Sequence, residues 1–247
     1  MKNYVKENNR ILKEWEKYNE QVEEKPNFAG DGIVYNGEED INEIWSKIPI
    51  RYMFITKDQN PRGGSAWNIC EEETMNLNGL FNQNLLYLFY GLTHCTNQVK
   101  IDYEKFTNNQ ALDNYNNCPI ARINVKKQAG SSFVSNQVLA KYLERDKDFI
   151  VKQITNLDAD VLVCCGFSES VADSGNLILN FLNDNIYNFQ REVDNWIYYD
   201  AERNKIAINA WHLSYFRVSS KDFYDGVIDA YQKFVQNHPE FLESHRK

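Results

Sequence analysis

This sequence predicts an α/β fold, a three-layer sandwich with a mostly parallel central sheet. Three observations carry that expectation. The runs IPIRYMFIT, CPIARINV and ADVLVCCG are short, apolar and rich in β-branched or aromatic residues, which reads as strands. Segments with apolar residues at helical spacing separate them, the pattern of parallel strands joined by crossover helices. Each run ends on a polar or glycine-bearing loop, and such sheets bind ligands beyond the carboxyl ends of their strands.

Taken in order, residues 6–24 are highly charged but place Ile11, Trp15, Tyr18 and Val22 on one helical face. Pro26, Gly30 and Gly32 in EKPNFAGDG end that helix. A short helix over 40–48 turns Ile41, Ile44, Trp45 and Ile48 inward, and IPIRYMFIT follows as the first strand. Residues 71–92 read as a helix with Leu80, Phe81, Leu85, Leu88 and Phe89 apolar. The next 25 residues, THCTNQVKIDYEKFTNNQALDNYNN, are polar and Asn-rich, and read as a long connection with little regular structure. CPIARINV is the second strand, KKQAGSS its exit loop, and 135–157 a helical region. ADVLVCCG is the third strand, followed by a helix over 168–182. NWIYYDAERNKIAINAW reads as a hairpin turning at DAERN, HLSYFRVSS as a loop, and 221–236 as a closing helix. No repeat or linker interrupts the chain. The expectation is one domain over 1–247, with 1–48 as a helical extension and 50–236 as the core.

Composition narrows the function. With 27 basic and 35 acidic residues the net charge is −8, which argues against a protein whose whole surface grips phosphate. A local basic patch remains compatible with it. The five cysteines, Cys70, Cys95, Cys118, Cys164 and Cys165, form no CxxC and are odd in number, so free thiols in a reducing compartment are expected. The N-terminus has no apolar leader, and no run of about 18 apolar residues occurs. The sequence therefore reads as a soluble, cytoplasmic chain with no membrane association.

Three loops hold the residues capable of chemistry. In ITKDQNPRGG, Asp58 and Asn60 are candidates to orient a water, flanked by Lys57, Gln59 and Arg62. Pro61, Gly63 and Gly64 let the backbone turn and approach a ligand closely. The stretch reads equally as a polar turn, and its glycine spacing fits neither a phosphate-cradling nor a dinucleotide motif. In INVKKQAG, Asn124 offers a donor and an acceptor suited to a base edge, or is satisfied by backbone. Lys126 and Lys127 could meet phosphate or face water. In WHLSYFR, His212 directly follows an apolar strand, where it is either structural or a donor to a developing anion. Ser214 and Arg217 follow it. No G-x-S-x-G elbow and no zinc-ligand spacing is present.

Together these loops resemble the uracil-DNA glycosylase superfamily, over roughly residues 50–235. FITKDQNPRGG is similar to its first motif, with Asn60-Pro61 matching the N-P of the G-x-N-P-G branches and Asp58 competing for the carboxylate of others. RINVKKQAG followed by RDKDFIVKQITNLDADVLVCCG resembles the middle of the iron–sulfur branch, placing Asn124 on its base-reading Asn and Gln153-Ile154 on its Q-I. NAWHLSYFR is similar to the closing H-P-S motif, with Leu213 in place of Pro. The cysteines do not fall at the cluster-binding positions of that branch, so no iron–sulfur cluster is expected.

The resemblance implies a DNA-repair N-glycosylase that flips a uracil or related deaminated or modified base and hydrolyses its N-glycosidic bond. His212 would stabilise the departing base anion, Asn60 or Asp58 would hold the water, and Asn124 would read the base edge. Trp67 would stack on the base. Ser214 and the backbone N–H groups of GGS would hold phosphates, with Arg217 and Lys126 assisting, and Gln59 and Pro61 would line the substrate. No metal or organic cofactor is required. The partner would be DNA or another nucleobase-containing ligand, with protein partners unknown. Two other functions fit the same residues: a binding module of this fold without turnover, and a hydrolase of free nucleosides or nucleotides.

Overall fold

The computed structural model describes residues 2–61, 64–71, 75, 77–130, 134–168 and 175–245. Among them, seven strands form one mixed sheet: β1 (Gly32–Val34), β2 (Tyr52–Thr56), β3 (Ile120–Asn124), β4 (Val161–Phe167), β5 (Gln190–Val193), β6 (Ile197–Asp200) and β7 (Lys205–Trp211). Their order across the sheet is β1-β3-β2-β4-β7-β6-β5. The four central strands, β3, β2, β4 and β7, run parallel, while β1 and the β5–β6 pair add antiparallel edges.

Helices cover both faces, as a parallel sheet requires. On one side lie α3 (Leu80–His94), α4 (Asn108–Asn117), α8 (Ser220–Asn237) and α9 (Pro239–Ser244). On the other lie α1 (Tyr4–Val22), α2 (Ile41–Lys47), α5 (Asn136–Arg145), α6 (Lys147–Leu157) and α7 (Leu177–Asn185). The strands alternate between these two cores. Tyr52 and Phe54 of β2 join the first, and Met53 and Ile55 the second. Val161, Val163 and Cys165 of β4 face one way, and Leu162 and Cys164 the other. Each such side chain stabilises the fold by about 1.5–3 kcal/mol when fully buried.

The chain leaves β2 through α3 and α4 on one face to reach β3. It then crosses through α5 and α6 on the opposite face to reach β4, on the other side of β2. Successive connections therefore diverge at the carboxyl ends of β2 and β4, where a ligand crevice forms in doubly wound sheets. The amino ends are closed by charge instead. The buried Asp160 accepts from Arg51 at 3.2 Å and Lys205 at 2.8 Å, which ties together the starts of β2, β4 and β7.

Several expectations about elements are corrected. The polar stretch before β3 contains α4, opened by a capping box in which Thr107 and Gln110 satisfy each other's backbone N–H groups. Ala111 and Tyr115 bury the inner face of that helix, so its many asparagines sit outside and conceal the periodicity. The helical region expected over 135–157 is present, as two helices that meet at the buried Asp146, which pairs with Arg145 at 2.7 Å. The helix expected over 71–92 begins only at Leu80, and that expected over 168–182 begins at Leu177. Residues 169–174 lie outside the described residues. The strand β1, hidden within a glycine-rich breaker, joins the sheet edge beside β3. Its neighbour α1 packs on α6, where Trp15 stacks on Phe149 at 5.6 Å. The N-terminal segment is thus part of the sheet and of one helical layer. No helix among the described residues is long and apolar enough to cross a membrane.

Candidate functional site

The loop after β2 is held by two buried contacts. Asp58 Oδ2 accepts from Lys126 Nζ at 3.0 Å, and both side chains are almost fully covered. Burial pushes the Asp58 carboxyl up, against the pull of Lys126 and Lys57. Gly130 closes over this pair, and a Cβ there would lie 2.9 Å from both Asp58 Oδ2 and Lys126 Nζ. Gln59 is also spoken for: its Nε2 donates to the Trp67 carbonyl and its Oε1 accepts the Trp67 N–H, each at 3.0 Å. That pair of bonds closes the loop between them. Asn60 lies on the exposed side of the loop, and Pro61 accepts the Gly64 N–H at 2.9 Å as the chain turns. Trp67 as a residue is 41% exposed. Arg62 and Gly63 lie outside the described residues, as do Ser131 and Ser132 of the second loop.

The end of β3 rests on a wholly buried ion pair. Lys127 Nζ, with no exposed surface, donates to Asp31 Oδ1 and Oδ2 and to the Asn124 carbonyl, all at 2.7 Å. Burial pushes the Lys127 ammonium down, against the pull of Asp31. Asp31 Oδ2 also accepts the Asn124 N–H at 2.7 Å, and Oδ1 accepts Gln153 Nε2 at 2.8 Å. Asn8 of α1 donates to the Asp31 carbonyl at 2.8 Å and accepts from Gln153 at 3.0 Å. That approach needs Gly32, because a Cβ at this position would sit 2.5 Å from Asn8 Nδ2. Both backbone groups of Asn124 are thereby clamped. Its side-chain Oδ1 lies 2.6 Å from Thr56 Oγ1, while its Nδ2 is buried with no hydrogen-bond partner. An unmet buried polar atom costs about 1–3 kcal/mol, and among the described residues Trp15 Nε1, Asn114 Nδ2, Asn156 Oδ1 and Trp211 Nε1 are in the same state.

The β7 loop presents His212. Its Nδ1 accepts the Ser214 N–H at 3.2 Å, which assigns the proton of the neutral ring to Nε2. Burial first, and the nearby Lys57 charge second, push the imidazole down to about 4, so the ring is neutral at pH 7. Phe81 at the start of α3 lies against it, with ring centroids 5.8 Å apart. Leu213, where the resemblance predicts Pro, is fully buried, and its carbonyl accepts from Asn84 at 2.7 Å. Ser214 and Arg217 are exposed, and Phe216 between them is 81% exposed.

The fold joins the first two loops directly. Besides the Asp58–Lys126 pair, Lys126 N–H donates to the Lys57 carbonyl at 2.9 Å and Gly130 N–H to the Gln59 carbonyl at 3.0 Å. The third loop is tied to the start of α3 instead, through the Phe81–His212 ring contact and the Asn84–Leu213 hydrogen bond. Lys126 and Lys127 are not solvated and not available side by side for phosphate. Both are buried in ion pairs. Gln153 serves the Asp31 network. Sequence reasoning missed Asp31, Thr56 and Phe81. Asp31 lies in a segment that reads as a breaker, and Thr56 reads only as the last residue of a strand. Among the described residues, no group of three His, Cys, Asp or Glu side chains could hold a metal ion. All five cysteines are free thiols.

No protein-family model matches this chain, and no curated protein sequence matches it either.

Proposed function

We propose that this protein is a nucleobase N-glycosylase of the uracil-DNA glycosylase-like fold, acting on uracil or a related deaminated or modified base. The observation that carries the reading is His212: a neutral imidazole with Nδ1 occupied and an Nε2–H to donate, directly after the carboxyl end of the parallel strand β7. Breaking an N-glycosidic bond leaves negative charge on the base. A fixed donor aimed at that charge is worth about 3 kcal/mol in the transition state. Neutral histidine suits this role because it does not itself release a proton to solvent near pH 7.

The other groups take roles consistent with their placement. Asn124 offers its buried Nδ2 to the base edge. Asn60, exposed on the first loop, holds the attacking water, while Asp58 with its Lys126 partner keeps that loop in place. Trp67 provides an exposed ring for stacking, and Ser214 and Arg217 lie exposed where phosphates would pass. The net charge of −8 favours one other reading, a hydrolase of free nucleosides or nucleotides, over binding along an extended duplex.

The test is single-turnover base release from single- and double-stranded oligonucleotides carrying uracil, hypoxanthine, xanthine or modified pyrimidines, with the matching nucleosides and nucleotides alongside. Cleavage of at least one oligonucleotide is expected. His212→Ala should lower the rate by about 10²–10³-fold, as for loss of one anion-stabilising donor. Asn60→Ala should slow it more than Asp58→Asn does. Unchanged activity in His212→Ala would reject the site. Binding of nucleic acid without cleavage would identify a binding module, and cleavage of nucleosides alone would move the substrate class.

A further inference from the structure

His212 opens a tight turn. The Tyr215 N–H donates to the His212 carbonyl at 2.7 Å, so Leu213 and Ser214 are the two central residues. Neither has a positive φ, and the described residues contain no cis peptide, which leaves type I among the hydrogen-bonded turns. The ring of the first residue reaches over the turn, where its Nδ1 accepts the Ser214 N–H at 3.2 Å, as Asn and Asp side chains do at this position. That N–H belongs to the same planar peptide as the Leu213 carbonyl and leaves it on the opposite edge. The carbonyl accepts from Asn84 Nδ2 of α3 at 2.7 Å, in a buried bond. A carbonyl only accepts, so the end of the Asn84 amide that faces it is the nitrogen. One rigid plane is held at both edges, by α3 on one side and by the imidazole on the other.

We propose that Asn84 is a positioning residue for His212, acting through the Leu213–Ser214 peptide. By holding the Leu213 carbonyl it keeps the Ser214 N–H turned towards Nδ1, which leaves the ring proton on Nε2 to face the departing base. The inference rests on the anion-stabilising role given to His212 above and names the residue on which that role depends. Type I and type II turns differ by a flip of this central peptide, which exchanges the sides of its carbonyl and its N–H. A flip would withdraw the N–H from Nδ1 and let the ring choose its tautomer freely. Ser214 resists the flip in part, because the type II position needs a positive φ that Ser rarely adopts. Asn84 adds a buried bond that the flip would break. The two bonds also strengthen each other, since a carbonyl that accepts a hydrogen bond makes the N–H of its own peptide a better donor. Phe81, one turn before Asn84, packs on the same imidazole with centroids 5.8 Å apart. That ring contact supplies no hydrogen bond to choose between the two nitrogens.

The experiment compares the wild type with two variants at this position. Asn84→Leu keeps the size and removes the donor. Asn84→Ser leaves a short hydroxyl that bonds back to its own helix. Phe81→Leu is the control for packing. Long-range ¹⁵N–¹H spectra of the ligand-free protein report the His212 tautomer, and single-turnover base release is measured beside oligonucleotide affinity. The wild type should show the Nε2–H tautomer alone, and both Asn84 variants a mixture with Nδ1–H. The protonation midpoint in those variants should rise from about 4, because a ring nitrogen relieved of an N–H donor takes a proton more readily. Phe81→Leu should keep the wild-type tautomer. Ser214→Gly, which permits type II without strain, should also keep it while Asn84 is present, and should deepen the mixture when combined with Asn84→Leu. Base release should slow about tenfold in both Asn84 variants, the scale of one hydrogen bond, with oligonucleotide affinity unchanged. An unchanged tautomer in both Asn84 variants would overturn the proposal. So would an equal disturbance in Phe81→Leu, since packing alone would then hold the ring. Absence of base release by the wild type would refute the glycosylase reading, while the ligand-free spectra would still decide whether Asn84 positions the ring, so the two failures are distinguishable.

Discussion

Titrating His212 tests the centre of the proposed site without assuming any substrate. Burial and the Lys57 charge bring its imidazole from the ordinary 6.5 to about 4. Between these values the unfolded chain binds a proton that the folded chain refuses, so stability falls as pH drops through 6.5 and stops falling below about 4. At about 1.4 kcal/mol per pH unit, the loss attributable to this one ring is on the order of 3 kcal/mol. Long-range ¹⁵N–¹H correlation spectra follow both ring nitrogens directly. They should show the Nε2–H tautomer at pH 7 and a protonation midpoint near 4. Removing the Lys57 charge in Lys57→Met should raise the midpoint, by less than the effect of burial, which is the larger cause. In His212→Gln the slope of unfolding free energy against pH should flatten between pH 6.5 and 4. A midpoint near 6.5, or a proton on Nδ1, would refute the reasoning, because the ring would then be either solvated or bonded differently to Ser214.

Three further outcomes are expected. Lys127→Met leaves Asp31 charged, buried and without its ion partner, and should cost about 3–5 kcal/mol in urea unfolding, whereas Asp31→Asn combined with Lys127→Met should cost clearly less than the sum of the two single changes. A cost below about 1 kcal/mol for the single change would mean the pair is hydrated. His245, in contact with Asp160 at 3.4 Å, is raised above 6.5: burial opposes this, but the Asp160 bond and the Phe241 carbonyl outweigh it. Its contribution is therefore fully present below about pH 6.5 and is lost as pH rises through the raised value, so His245→Gln should remove an alkaline decline measured by thermal unfolding between pH 6 and 9. Thr107→Ala removes the cap of α4 and should cost about 1 kcal/mol, or a fall of about 2–4 °C in Tm, with no change in the His212 titration.

Much of the scaffold was legible because burial writes itself into the chain. IPIRYMFIT, CPIARINV and ADVLVCCG are buried on both faces, and no other role accommodates so many apolar residues in so short a span. The α4 helix escaped because its inward face is only Ala111 and Tyr115 and the rest is Asn, Gln and Asp, yet its Thr107–Gln110 cap was there to be read. The loops were legible as loops, since polar residues and glycines follow each strand. What each side chain does within them was not. Asp58 and Asn60 look alike as candidates in KDQNP, and only the position of Lys126, 68 residues from Asp58, shows that the carboxylate is buried in an ion pair.

The sequence by itself determined the three buried central strands and most of the helices between them, which ends of those strands carry polar loops, and that His212 and Asn124 stand at two strand ends. These follow from local periodicity and from the cost of burying polar backbone, which act over a few residues at a time. Tertiary structure decided the rest. It brought Asp31 from the breaker before β1 to Lys127 after β3, laid Thr56 against Asn124, and set Lys57 near enough to His212 to lower its basicity. Such pairings depend on strand order and on which groups lose water together. Charge and hydrogen-bond partners separated by tens of residues leave no period in the sequence to announce them.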